Sequence, residues 1–97
     1  MANIANFKIN TDANWVNIED KIKETKSDFA FTDGKTYLIQ VFEPHKICIS
    51  ASGEPSGNDG FEKTDAPFSY THTTGTGLYV KSKYIKQYSQ IEINVSE

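Results

Sequence analysis

The sequence predicts an all-β domain, a small β-sandwich or barrel of about six to eight antiparallel strands. Three observations favour this class. Leu occurs only at positions 38 and 78, whereas Ile, Thr, Tyr and Phe are abundant, and β-branched and aromatic side chains suit strands better than helices. Short apolar runs recur along the chain between Gly, Pro, Asn and Asp. The 97 residues match the length of one compact domain, so residues 1–97 are expected to form a single β domain.

The segment 12–25 is compatible with two kinds of secondary structure. Trp15, Ile18 and Ile22 follow the i, i+3, i+7 spacing of one helix face. Val16, however, shares strand parity with Ile18 and Ile22, which favours an extended segment. One short N-terminal helix and a further strand therefore both remain open for these residues.

The other apolar runs predict strands on the basis of alternation and β propensity. A turn dipeptide, Asp33-Gly34, indicates a hairpin between the runs 29–32 and 35–42. A loop around Pro44 predicts a further hairpin, and so does the turn at 73–77, while residues 53–65 predict a long surface loop. In chain order the predicted strands are 4–9, 29–32, 35–42, 46–52, 67–73, 77–82 and 90–96.

Composition argues against several classes of partner and location. The chain has no Arg and a formal net charge of −3, and nucleic-acid binding needs a basic patch, so no nucleic-acid partner is expected. No apolar run approaches the length of a membrane-spanning helix, so no membrane partner is expected either. The first 15 residues lack the basic and apolar regions of a signal peptide, so we expect no secretion by this route.

The chemically reactive side chains do not form a recognised catalytic or metal-binding motif. His45, Cys48 and His72 are the strongest candidate ligands, but a structural zinc site needs four ligands and a catalytic one three. Cys48 paired with either histidine lacks an evident third group and a nucleophile signature. The sequence therefore predicts no catalytic residue, no metal site, no cofactor and no enzymatic activity.

Aromatic side chains are the candidate binding residues, namely Trp15, Tyr79, Tyr84 and Tyr88. Trp and Tyr are frequent at binding hot spots, although packing is the more common role of Trp in a small β protein. The polar surroundings of Tyr84 and Tyr88 predict exposure. Lysines interleave with the tyrosines over residues 79–88, and we interpret this segment as a solvated strand edge protected by lysine rather than as a platform for single-stranded nucleic acid.

The order of these short patterns resembles small all-β proteins of tailed bacteriophages that are associated with the virion as head-decoration, fibre or tail-associated modules. The resemblance implies a multimeric protein that acts through surfaces, has itself or other virion proteins as partners, and is found in the virion or the host cytoplasm. Its patterns are Trp-x-x-Ile at 15–18, Tyr-x-Ile-Gln at 37–40, a Pro and Gly loop at 55–60, Leu-Tyr-Val-Lys at 78–81, and Ile-x-Ile-x-Val at 91–95.

These observations lead to one expected function and two alternatives. We expect a non-enzymatic structural or adhesion module of a phage or phage-like particle that acts through protein–protein contacts. The first alternative is a carbohydrate-binding module, in which exposed aromatic rings stack on a glycan. The second is a small acidic protein that inhibits a host protein, because carboxylates can steer association.

Overall fold

The computed structural model describes residues 3–12, 14–42, 45–50, 53, 55, 60–63, 66–84 and 90–97, with 45–50 and 63 described by backbone alone. This part of the chain forms eight strands and one short helix. In chain order they are β1 (Asn3–Asn10), β2 (Val16–Asn17), α1 (Ile18–Lys23), β3 (Thr36–Val41), β4 (His45–Ser50), β5 (Phe61–Lys63), β6 (Phe68–Thr71), β7 (Gly77–Ser82) and β8 (Gln90–Ser96).

The strands form two antiparallel four-stranded sheets, which confirms the predicted all-β class. The first sheet has the order β1-β8-β3-β6, and the second has the order β2-β7-β4-β5. Alternate side chains of both sheets, together with α1, form one hydrophobic core, as expected when two sheets stack. Its buried members are Ala5, Ile9, Ile18, Ile22, Phe31, Tyr37, Ile39, Val41, Phe68, Tyr70, Leu78, Val80, Ile91, Ile93 and Val95.

Residues 12–25 contain both elements that the sequence left open. The two-residue strand β2 leads directly into α1, which begins at Ile18. Asn17 caps the helix, because its side-chain oxygen accepts a hydrogen bond from the Asp20 N–H at 3.2 Å. Ile18 and Ile22 are fully buried in the core. Trp15 lies before β2, so the predicted helical stripe holds for the two isoleucines and is wrong for Trp15.

All three predicted hairpins are wrong. Residues 29–32 form no strand, so the turn at Asp33-Gly34 does not join two paired strands. β3 and β4 lie in different sheets, so the connection that contains Pro44 crosses from one sheet to the other. The connection after β6 crosses in the same way, because β7 lies in the second sheet. For the first crossing the reason is that both edges of β3 are already hydrogen-bonded, one to β8 and the other to β6. No edge of β3 is left for β4 to join.

The predicted strand at 29–32 is a loop that still contributes to the core. The Phe31 N–H donates to Oε2 of Glu19 at 2.9 Å, and the Thr32 N–H donates to the hydroxyl of Tyr37 at 2.8 Å. Side-chain oxygens thus accept hydrogen bonds from backbone N–H groups that would pair with a neighbouring strand in a sheet. The loop predicted at 53–65 is wrong in part, because it contains β5, which pairs with β4.

The predicted turn at Asp33-Gly34 is present and depends on glycine. Gly34 has a φ of 79°, and its N–H donates to the carbonyl oxygen of His72 at 2.9 Å. A Cβ at this position would meet no atom within 4 Å, so the backbone conformation alone penalises a larger residue. We expect Gly34→Ala to lower the free energy of unfolding by about 1 kcal/mol, as measured by urea denaturation.

A second substitution separates backbone strain from loss of the turn. Asn tolerates the left-handed conformation better than Ala does, so Gly34→Asn should cost less than Gly34→Ala. Equal losses from the two substitutions would contradict an explanation based on backbone conformation.

Candidate functional site

The pairing of β2 with β7 places Trp15 and Tyr79 on the same face of the second sheet, opposite the buried Val80. Asn17 pairs with Tyr79 and Val16 pairs with Val80, so the register continues with Trp15 beside Lys81. The Lys81 Nζ lies 5.0 Å from the centroid of the indole ring, within cation–π range.

Burial limits the contact that Trp15 and Lys81 can make with a ligand. The exposed fraction is 8% for Trp15 and 5% for Lys81. Trp15 is therefore not an open stacking platform, and a broad aromatic surface around it is excluded. The interpretation of residues 79–88 as a lysine-protected edge is wrong for Lys81, because β7 is an interior strand between β2 and β4.

Tyr79 is half-buried and packs on the sheet itself. A Cβ placed on Gly77 would lie 3.0 Å from Cε1 of Tyr79, so the phenol ring covers the glycine backbone. A packing role thus accounts for the position of this ring, while a binding role for Tyr79 stays a prediction. Tyr88, the fourth candidate, lies outside the described residues.

Three large aromatic side chains of the described residues are exposed, and each lies within three residues, along the chain or in register, of the pair that His45 forms with Ser82 at the start of β4. The exposed fraction is 52% for Phe42, 75% for Phe61 and 51% for Tyr84, which confirms the exposure expected for Tyr84. Phe42 follows β3 directly, and Tyr84 follows β7. His45, at the start of β4, pairs with Ser82 in β7. Phe61 pairs with Ile47, which lies two residues after His45 in β4. We refer to Phe42, Phe61 and Tyr84 as the aromatic end.

Polar contacts fix the backbone and the charges of the aromatic end. The Lys83 Nζ lies 3.0 Å from Oε2 of Glu62 and 5.6 Å from the centroid of the Tyr84 ring. The hydrogen bond to Glu62 raises the pKa of Lys83 above its ordinary value. The Ser82 hydroxyl donates to the carbonyl oxygen of Tyr84 at 2.7 Å. Exposed rings on a fixed backbone lose little entropy on association.

Phe61 is exposed because the second sheet extends beyond the core. Phe61 and Val80 both pair with Ile47, so they belong to one cross-strand row. Val80 is fully buried in the core, whereas Phe61 is the most exposed of the three rings. The row therefore runs from the core to an open edge at β5.

A polar cleft of about 380 Å³ opens between the end of β1, residues 12 and 14–17, and α1, and it has the size of a small-molecule site. No sequence pattern predicts this cleft, because its residues come from separate segments and form no motif. It is lined by Lys8, Ile9, Asn10, Asp12, Asn14, Trp15, Val16, Asn17, Asp20, Lys21, Glu24 and Gln90.

Hydrogen bonds within the cleft wall hold several of these groups in place. The Asn14 N–H donates to Oδ1 of Asp12 at 3.0 Å. The Gln90 amide donates to Oδ1 of Asn10 at 3.2 Å, which ties the start of β8 to the end of β1. The wall is therefore largely pre-formed, as is usual for ligand sites.

His72 belongs to an aromatic cluster with Phe31 and Tyr70, two buried residues of the core. Its Nδ1 lies 2.6 Å from the hydroxyl of Tyr70, and its ring centroid lies 5.5 Å from that of Phe31. Burial raises the pKa of the Tyr70 hydroxyl. This cluster places His72 in a packing role.

Of the three candidate metal ligands and reactive residues, only His72 has a side chain that the structure describes. The side chains of His45 and Cys48 lie outside the description, so their predicted lack of chemistry stays a prediction. Within the described ranges, no group of three or more His, Cys, Asp or Glu residues could hold a metal ion.

Comparisons of the chain with protein-family models, curated proteins and solved structures gave no match. No helix among the described residues is long and apolar enough to cross a membrane. The aromatic end and the polar cleft are thus the two surfaces of the described residues that bear on function.

Proposed function

We propose that this protein is a non-enzymatic structural or adhesion module of a phage-like particle that acts through protein–protein contacts. The observation that carries the proposal is the aromatic end, where Phe42, Phe61 and Tyr84 are each more than half exposed. Exposed apolar side chains grouped on one surface are typical of interaction sites, and aromatic residues are enriched there.

The outer face of the first sheet is a poorer candidate for the contact surface. Its amides and hydroxyls bond to one another: Asn94 donates to Asn6, and Ser96 donates to Asn94. The hydroxyls of Thr36 and Thr71 lie 2.7 Å apart. A partner on this face would have to compete with these bonds, whereas association at the aromatic end removes apolar surface from water.

The choice of a particle as the setting comes from the resemblance to virion-associated β proteins. A module of this kind would bind a second copy or a neighbouring virion protein through an interface of more than about 1,000 Å². The aromatic rings would form its centre, and the Lys83–Glu62 pair beside them would lie at its polar rim.

Light scattering after size-exclusion chromatography tests this proposal. We expect the wild-type chain to form a discrete oligomer, and the double substitution Phe61→Ser and Tyr84→Ser to weaken association by about tenfold or more. Both side chains are largely exposed, so thermal stability should change little.

Leu38→Thr, on the outer face of the first sheet, is the matched control, because it also replaces an apolar side chain but lies away from the aromatic end. It should leave the oligomer intact. A wild-type chain that stays monomeric at all concentrations and does not bind virion subunits would contradict the proposal, and so would equal weakening by the control.

A further inference from the structure

We propose that the polar cleft beside Trp15 binds a neutral polyhydroxylated ligand, namely a sugar unit of a glycan. This site is separate from the aromatic end, and it goes beyond the proposed particle role. Four features of the cleft carry the inference: its volume, its charge balance, and the presence of Asp20 and of Trp15 among the residues that line it.

The charge balance of the lining favours a neutral ligand. The wall holds the carboxylates of Asp12, Asp20 and Glu24 and the ammonium groups of Lys8 and Lys21. Positive and negative groups nearly cancel, so neither a phosphate nor a divalent cation gains a strong net attraction. No metal-ligating group of three is present among the described residues either.

The lining supplies both donors and acceptors, which a sugar hydroxyl needs because it donates and accepts at once. Asn10, Asn14, Asn17 and Gln90 contribute amides, each of which can do both. Carboxylates accept strong, charge-assisted hydrogen bonds from hydroxyl groups. A cleft of about 380 Å³ lies at the lower end of the range for small-ligand sites, which suits a small saccharide.

Asp20 is the residue best placed to bind a hydroxyl. Its backbone N–H is used by the helix cap at Asn17. Its exposed carboxylate has no hydrogen-bond or ion-pair partner within the part of the chain that the structure describes. The carboxylate is thus available to a ligand without the loss of a contact with any residue that the structure describes.

Trp15 adds an aromatic residue to the lining of the cleft. Ligand sites combine apolar and aromatic side chains with a few convergent polar groups; Trp15 is only 8% exposed, and its ring centroid lies 5.0 Å from the Nζ of Lys81. Trp15 is also the single Trp of the chain. Its fluorescence therefore reports on the surroundings of this one cleft residue, with no contribution from a second Trp.

The experiment is a fluorescence titration of the full chain with the methyl glycosides of glucose, galactose and N-acetylglucosamine, each up to about 10 mM. We expect a saturable change in Trp15 emission with at least one of them. Asp20→Ala should weaken that binding by about tenfold, the effect of losing one charge-assisted hydrogen bond.

Asp28→Ala is the matched control, because Asp28 is also exposed but does not line the cleft. It should leave the titration unchanged. No saturable change with any glycoside would overturn the inference. So would a response to inorganic phosphate or Ca²⁺ alone, or equal weakening by Asp28→Ala. None of these outcomes affects the oligomer at the aromatic end, so the two proposals fail separately.

Discussion

Replacing Ile93 with alanine is expected to lower the free energy of unfolding by about 2–5 kcal/mol, the usual cost of deleting a buried branched side chain. Ile93 is fully buried. It lies in β8, which pairs with β1 on one side and β3 on the other, and Ile93 itself pairs with Phe7 and Val41. A cavity there would remove contacts from the middle strands of the first sheet, and the fixed ladders on both sides would resist collapse. Urea denaturation followed by circular dichroism measures the loss.

The matched control for Ile93 is a substitution on the opposite face of the same sheet. Ser69 is exposed on β6, so Ser69→Ala should change the free energy of unfolding by no more than about 0.5 kcal/mol. A loss below about 1 kcal/mol for Ile93→Ala would mean that the core repacks around the missing atoms. That result would contradict a tightly packed arrangement of the two sheets.

The strands that could be predicted from sequence are those whose pattern is purely local. In β8, Ile91, Ile93 and Val95 are buried while Glu92 is exposed, and this alternation alone predicts one buried face. The bounds of β7 and β8 are the same as those predicted, 77–82 and 90–96. The all-β class followed from the same local preferences.

The assignment of strands to sheets could not be predicted, because it depends on partners far away in the sequence. Lys81 shows the consequence: its local sequence is polar, yet it is buried because β7 is an interior strand and Trp15 covers it. Phe31 shows the converse. Its apolar side chain correctly indicates burial, but a carboxylate from α1 replaces the strand partner that the pattern implies.

The candidate site was predictable only in its aromatic residues. Tyr84 was expected to be exposed, and Trp15 was named as a binding candidate, but the cleft that Trp15 lines depends on β1, α1 and the start of β8 meeting in space. Single amides such as Asn10 and Gln90 form no motif in a sequence. Only the antiparallel register, which pairs these two residues, brings them together.

Replacing Glu19 with alanine is expected to lower the free energy of unfolding by about 1–3 kcal/mol, the cost of leaving a part-buried donor without its acceptor. The Glu19 carboxylate accepts the Phe31 N–H at 2.9 Å and lies 3.5 Å from the Nζ of Lys23. The first contact joins α1 to the loop whose Phe31 ring packs on Tyr37 and Tyr70, with centroids 4.8 and 5.2 Å apart. Loss of the carboxylate should therefore loosen that ring as well as the helix. Thermal denaturation and the near-ultraviolet tyrosine signal measure the two effects.

Glu24 offers a control of the same residue type, just after the same helix. It pairs with Lys21 at 3.2 Å, but its side chain is 63% exposed and the pair lies on the surface, so Glu24→Ala should cost no more than about 0.5 kcal/mol. Glu19→Gln keeps an acceptor oxygen and loses only the charge, so its effect should fall between those of the two alanine variants. If Glu19→Ala cost no more than Glu24→Ala, the carboxylate would act only through Lys23. The loop that contains Phe31 would then be held by its ring contacts and by the hydrogen bond from the Thr32 N–H to the Tyr37 hydroxyl, without a backbone anchor on α1.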